Sequence, residues 1–234
     1  MIQMESFTEI WFYLLTSLMD KYNDERSSLR EIERLSKINV KVRRIKKMKL
    51  WTVQPQKVIS IIEKTGEFIC DETKSDKDFR KAYEWIAKEM DKRHIVHPED
   101  LVLPLWAWHT RDWKHRKPDL RNIGLGIRGE KCACIEFEID DSQALLSDYF
   151  AWHCVLNKGF YNDSHTEAEW NEKDAWYEAL SCEQKSIETL KSWQKVFDIN
   201  TFENEFCQNG RYIQATFWKL TKEMITDVRY FTAR

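Results

Sequence analysis

The stretch CACIEFEID, residues 132 to 140, changes residue type at every step, and this constrains the fold more than any other feature of the chain. Ala133, Ile135, Phe137 and Ile139 alternate with Cys132, Cys134, Glu136 and Glu138. Successive side chains of an extended strand point to opposite faces, so a period of two demands a sheet with one face packed on a core. Helical periodicity nearby supplies the cover. PQKVISIIEKTG, residues 55 to 66, predicts a helix with Pro55 in its first turn, Gly66 at its end, and Val58, Ile61 and Ile62 on one face. DKDFRKAYEWIAKEMDKR, residues 76 to 93, predicts a second helix that buries Phe79, Tyr83, Ile86 and Met90. KLWTVQ, LVLPLWAWHT and RYIQATFWKL read as further strands, and residues 160 to 198 as helical. The expected class is α+β: a mixed, mostly antiparallel sheet with flanking helices.

Composition agrees with a folded domain and removes some functions. The chain is 42% hydrophobic and 32% charged, which excludes a disordered or fibrous protein. A net charge of −2 provides no global field to attract nucleic acid or an anionic membrane, although a local basic patch remains open. Six Gly and four Pro in 234 residues argue against a loop-dominated fold. All eleven tryptophans but Trp11 lie at or after position 51, and most are expected in the core, with a minority lining a groove. The six cysteines follow no secretory segment, so free thiols in a reducing cytoplasm are expected. Cys132 and Cys134 lack C-x-x-C spacing, and the adjacent His153 and Cys154 are poorly placed to share a metal, so no metal is expected. FTEIWFYLLTSLMDKY is too short and too polar to span a bilayer, and Glu5 and Glu9 stand where a signal peptide takes Lys or Arg.

The chain divides near Met48. Residues 1–47 read as a helical arm and a basic linker, and residues 48–234 as one α+β domain. Two readings of the division stand. Arg43-Arg44 can be encoded AGG-AGG, a bacterial ribosome-binding sequence, which would make Met48 the true start; otherwise the arm is genuine.

Motifs for P-loops, dinucleotide folds, zinc peptidases and serine hydrolases are absent. NIGLGIRGE, residues 122 to 130, precedes a strand instead of opening a helix, and so reads as a turn. WAWHTRDWKHRKPDLR interleaves Trp106, Trp108 and Trp113 with His109, Arg111, Arg116, Lys117 and Arg121. Rings among cations suit the stacking of bases and the neutralising of phosphates. The plainer reading is a solvated loop with tryptophans packed beneath it and a structural His109. Glu136 and Glu138 either face solvent or put a carboxylate in a cleft. Asp148 reads most simply as part of a helix start. Gln214, in the apolar strand YIQATFW, is either at a sheet edge or in a site.

Together MKLWTVQ, the F-x-x-A-Y-x-W spacing, WAWH, KPDLR, IEFEID, LLSDYFAWHCVLN and QATFW resemble a bacterial family known as domain-of-unknown-function family 3841, over residues 48–234. LWTVQPQKVISIIEKTG, IEFEIDDSQALLSD and IQATFWKLTKEMITDVRYF also resemble the layout of the ADP-ribosyltransferase fold. That second resemblance implies NAD as cofactor, with Thr52 and Gln54 contacting it, Arg121 near its pyrophosphate, and Gln214 at the ribose where the family carries Glu. It also implies that Glu138, Asp148 or another carboxylate supplies the charge Gln214 lacks. The implied activity is ADP-ribosyl transfer to a nucleic acid or protein acceptor by a cytoplasmic toxin or phage-defence effector, with an antitoxin as a candidate partner. Trp106, Trp108, His109, Trp113, Arg116 and Lys117 would contact the acceptor. The alternative is a non-enzymatic module that binds single-stranded nucleic acid through the same cluster.

Overall fold

The computed structural model describes residues 46–95, 97–99, 101–200, 204 and 206–234. The expectations for residues 1–45 lie outside the described residues. Lys47–Arg234 forms one compact unit of α+β class, with five α-helices among the described residues. Its main sheet has six strands in the order β5-β6-β3-β1-β4-β8: β1 (Lys47–Pro55), β3 (Leu105–Arg111), β4 (Lys131–Asp140), β5 (Leu145–Asp148), β6 (Tyr212–Phe217) and β8 (Ile225–Thr232). A two-stranded ribbon joins β2 (Glu67–Ile69) to β7 (Lys219–Thr221). All described strand pairs are antiparallel, which agrees with the expected mostly antiparallel sheet and differs from it only in the absence of a parallel pair among the described strands.

β4 is the strand its alternation predicts. Ala133, Ile135, Phe137 and Ile139 join Leu50, Leu105, Ala107, Ala215 and Phe217 in one buried layer. Helix α1 (Lys57–Thr65) covers that layer with Val58, Ile59 and Ile62 and stops at left-handed Gly66 (φ 85°). Ile61, expected on the buried face, is 40% exposed, and Pro55 ends β1 instead of opening the helix. A second core gathers Ala82, Ile86 and Met90 from α2 (Arg80–Lys92) with Ala151, Trp152 and Val155 from α3 (Tyr149–Leu156). Trp193 and Trp218 complete it. Phe79 is only half-buried and precedes α2. The segment 160–198 contains α4 (Glu167–Glu178) and α5 (Cys182–Ser192). Ser181 and Gln184 close a reciprocal capping box at the start of α5. Among the described residues four tryptophans are buried, at 51, 152, 193 and 218, whereas Trp170 and Trp176 stand exposed on α4.

The sheet has a seam at its middle. β1 pairs with β4 over nine residues, from Lys47–Asp140 to Pro55–Cys132, but with β3 only through Trp51 and Trp108. Two three-stranded halves, β8-β4-β1 and β3-β6-β5, therefore meet along a line with little ladder. No helix among the described residues is long and apolar enough to cross a membrane.

Candidate functional site

A cleft of about 560 Å³ opens where the two halves part. β1 lines it with Thr52, Val53, Gln54 and Pro55, the stretch over which β1 forms no further register pair with β3 beyond Trp51. β3 contributes Trp106, Trp108 and Arg111, and β6 contributes Tyr212 and Gln214. Tyr149 and Phe150 enter from the start of α3, and Ile123, Gly124, Gly126 and Glu130 from the glycine loop before β4. The residues assigned to cofactor contact on β1 and to ribose contact on β6 thus come from remote parts of the chain to one cavity.

The polar network begins at the seam. Thr52 is buried, and its hydroxyl donates to the Trp106 carbonyl oxygen at 2.9 Å while accepting from Gln54 Nε2 at 2.9 Å. This fixes the Gln54 amide nitrogen and leaves its carbonyl oxygen unengaged among the described residues. Gln214 does not lie at a sheet edge. β6 pairs with β3 through Trp108–Gln214 and with β5 through Ser147–Gln214, and the Gln214 side chain has no hydrogen-bond partner among the described residues.

Arg111 is the cation of the cleft. Strict alternation after Trp106 and Trp108 would put Thr110 on the cleft face. A bulge at His109 adds one residue instead, so Thr110 pairs with Ile213 and is buried, while Arg111 pairs with Tyr212. The guanidinium lies 4.5 Å above the Trp108 ring and 5.8 Å from that of Tyr212. Its Nη1 is buried and has no hydrogen-bond partner among the described residues. Burial pushes its pKa below the ordinary arginine value, yet arginine stays charged in proteins. A desolvated, unpaired guanidinium is costly and awaits an anion.

Other expected residues lie elsewhere. Arg121 is exposed and locked to Asp119 by a forked ion pair, Nε at 2.9 Å and Nη2 at 2.7 Å, so it does not line the cleft. Trp113 follows Asp112 in a two-residue left-handed turn (φ 63° and 52°) closed by Arg111 N–H to the Lys114 carbonyl. That turn carries Trp113, Arg116 and Lys117 away from the cleft, and Arg116 pairs with Asp112 at 3.3 Å. His109 stacks on His115 at 4.3 Å, and burial, then His115, lowers its pKa to about 4. Trp106 and Trp108 alone of the Trp and basic cluster's assigned contacts reach the cavity.

The carboxylates sort likewise. Asp148 serves the scaffold: Oδ1 accepts from Ala151 N–H at 2.9 Å and Oδ2 from Gly210 N–H at 2.8 Å, tying the start of α3 to the approach to β6. Burial raises its pKa against those hydrogen bonds. Glu136 is held by Lys49 at 2.8 Å and the Trp51 indole at 2.9 Å. Glu138 pairs in register with Lys49, and a rise of about 3.3 Å per residue places it about 20 Å along β4 from Cys132. Glu130 is the carboxylate that lines the cleft. Its backbone is pinned on both sides, N–H to Ile127 at 2.9 Å and carbonyl from Ala233 N–H at 2.9 Å.

From the sequence Arg111 was named only as one cation of the Trp and basic cluster, with no role in the cleft, and Glu130 was not singled out. A cation and a carboxylate flanking strands that already carry Thr52, Gln54 and Gln214 were the available signal. Among the described residues no group of three or more His, Cys, Asp or Glu could hold a metal ion, and burial raises the thiol pKa of Cys132 and Cys134.

Compared with curated proteins and with solved structures, the chain matches none. The model of the family described as Domain of unknown function (DUF3841) matches residues 49–226, which includes every residue that lines the cleft. The chain belongs to this DUF3841 family.

Proposed function

We propose that the cleft binds NAD and that the protein is an ADP-ribosyltransferase-like enzyme acting on a nucleic acid or protein acceptor, in the manner of a toxin or phage-defence effector. The observation that carries this reading is the unpaired Arg111 guanidinium beside Thr52, Gln54 and Gln214 in one cavity. A pyrophosphate is the complement of such a group, because its oxygens take forked hydrogen bonds from a planar guanidinium. Trp108, Tyr149 and Tyr212 offer ring surfaces for the planar ends of a dinucleotide.

NAD bound here would supply an electrophilic ribose carbon, nicotinamide leaving with the bonding pair as a nucleophile of the acceptor bonds to that carbon. Gln214 orients a ribose hydroxyl but brings no charge. Glu130, the carboxylate on the cleft wall, would provide the negative charge that favours cationic character at that carbon and would take the acceptor's proton. Gln54 and Thr52 hold the opposite wall.

The test is incubation of the purified chain with adenine-labelled NAD, cell lysate and total RNA, followed by mass spectrometry of labelled products. Label on one acceptor class, lost in Gln214→Ala and in Arg111→Ala, supports transfer. Salt-sensitive binding of single strands through Trp108 with no labelled product would favour the non-enzymatic nucleic-acid module instead.

A further inference from the structure

A groove of about 710 Å³ lies between α2 and α5, beside the end of α3 and apart from the cleft. Lys81 and Lys88 reach it from α2, Lys158 from the turn after α3, and Lys185 from α5. Among the described residues Lys81, Lys88 and Lys158 have neither an ion-pair nor a hydrogen-bond partner. The acid in the groove, Glu84, is taken by Arg80 at 2.8 Å, and Lys185 is taken by Glu178 at 2.6 Å. Three free ammonium groups from two separate elements therefore surround one groove in a chain of net charge −2. Lys158 holds a left-handed conformation (φ 56°), where Gly or Asn is ordinary and a side chain is strained.

The walls say which anion fits. Ala82, Val155 and Leu190 make an apolar lining, and Leu190 and Ile187, one helical turn apart on α5, are 55% and 47% exposed. The groove's aromatic faces are already occupied. Trp85 stacks on Phe197 at 5.7 Å and meets Trp193 edge-on at 5.5 Å. Tyr177 stacks on Phe160 at 4.3 Å and carries Lys185 over its ring at 5.3 Å. Bases would find no open ring to stack on, so the lysines do not form a single-strand platform. An apolar trough between two helices with a basic rim matches a third helix that is apolar on one stripe and acidic beside it.

We propose that this groove docks an acidic amphipathic helix of a protein partner. The test is fluorescence anisotropy of a labelled helical peptide carrying leucines at i, i+3, i+4 and i+7 flanked by glutamates, titrated with the full chain. The expected result is saturable binding that weakens with salt and falls at least about tenfold when Lys81, Lys88 and Lys158 are all changed to Glu. Leu190→Asp, which leaves those lysines in place, should also weaken it, and Arg111→Ala should not, so failure here is distinct from failure of the cleft reading. No saturable binding, equal binding by the charge-reversed protein, or equal binding of a peptide with lysines for glutamates would overturn the proposal. Displacement of the peptide by a single-stranded oligonucleotide or by anionic vesicles would overturn it too, by giving the lysines another ligand.

Discussion

The Thr52 hydroxyl reaches across the seam of the sheet and donates to the Trp106 carbonyl oxygen at 2.9 Å. Beside it the two halves share only the Trp51–Trp108 register pair. Thr52→Val keeps the shape, removes this bond and leaves Gln54 Nε2 without its acceptor. We expect a loss of about 1 kcal/mol in urea denaturation, since two part-buried polar partners are orphaned. We also expect a loss of nucleotide affinity beyond that of Thr52→Ser, which retains the hydroxyl. Equal stability of Thr52→Val and the parent would show that the clasp carries no free energy.

Arg111 should show opposite effects on stability and on binding. Arg111→Met removes a half-buried, unpaired charge but keeps an apolar stem over Trp108. The free protein should become more stable, by roughly 1 kcal/mol, because an uncompensated desolvated charge is lost. Affinity for NAD or ADP should drop at least about tenfold, the value of one charge-assisted hydrogen bond. Calorimetry paired with thermal melts checks both. A variant less stable than the parent would mean that the guanidinium has a partner in solution.

Asp148→Asn tests the scaffold. Both carboxylate oxygens accept backbone N–H groups, from Ala151 and Gly210, and an amide can satisfy only one of them. A loss of about 1–3 kcal/mol is expected from the donor left unpaired. Tyr149 and Phe150 follow Asp148 directly and Tyr212 lies just beyond Gly210, so cleft binding should weaken as well. Unchanged urea midpoints would remove Asp148 from the scaffold.

His109 gives a pH signature. Its folded pKa, about 4, lies below the ordinary value of 6.5, first through burial and then through His115. The folded state therefore favours the neutral ring. Its contribution is complete above pH 6.5 and is lost as pH falls from 6.5 toward 4, where the unfolded chain binds the proton first. The melting temperature of His109→Gln should decline less across that window than the parent's. Parallel curves would assign the acid sensitivity to other groups.

Much of the sheet was legible because its central strands are buried on one face. β4 shows this directly, with Ile135 and Phe137 at 0% exposure. β8 was missed for the converse reason: ITDVRYFT is an edge strand, largely exposed, and carries Asp227 and Arg229 instead of an apolar alternation. Helix α1 was found, but its buried face turned out to be Val58, Ile59 and Ile62, because a run of apolar residues does not define a phase. In the site, Thr52, Gln54 and Gln214 were readable as polar residues in apolar strands. Arg111 was readable only as one cation of the Trp and basic cluster, because the bulge at His109 that brings it to the cleft face leaves no mark in a period-two pattern. Arg121 is equally basic in sequence, but it lies exposed outside the cleft and is held by the fork to Asp119.

The seam also bears on how the molecule moves. Strands that share one register pair can separate without breaking a ladder, so amide protons of Val53 and Trp106 should exchange sooner than those of β4. A ligand held by both Thr52 and Gln214 would bridge β1 and β6 across the intervening β3. Occupancy would then be readable as slowed exchange along that line, independent of any reaction at the ribose.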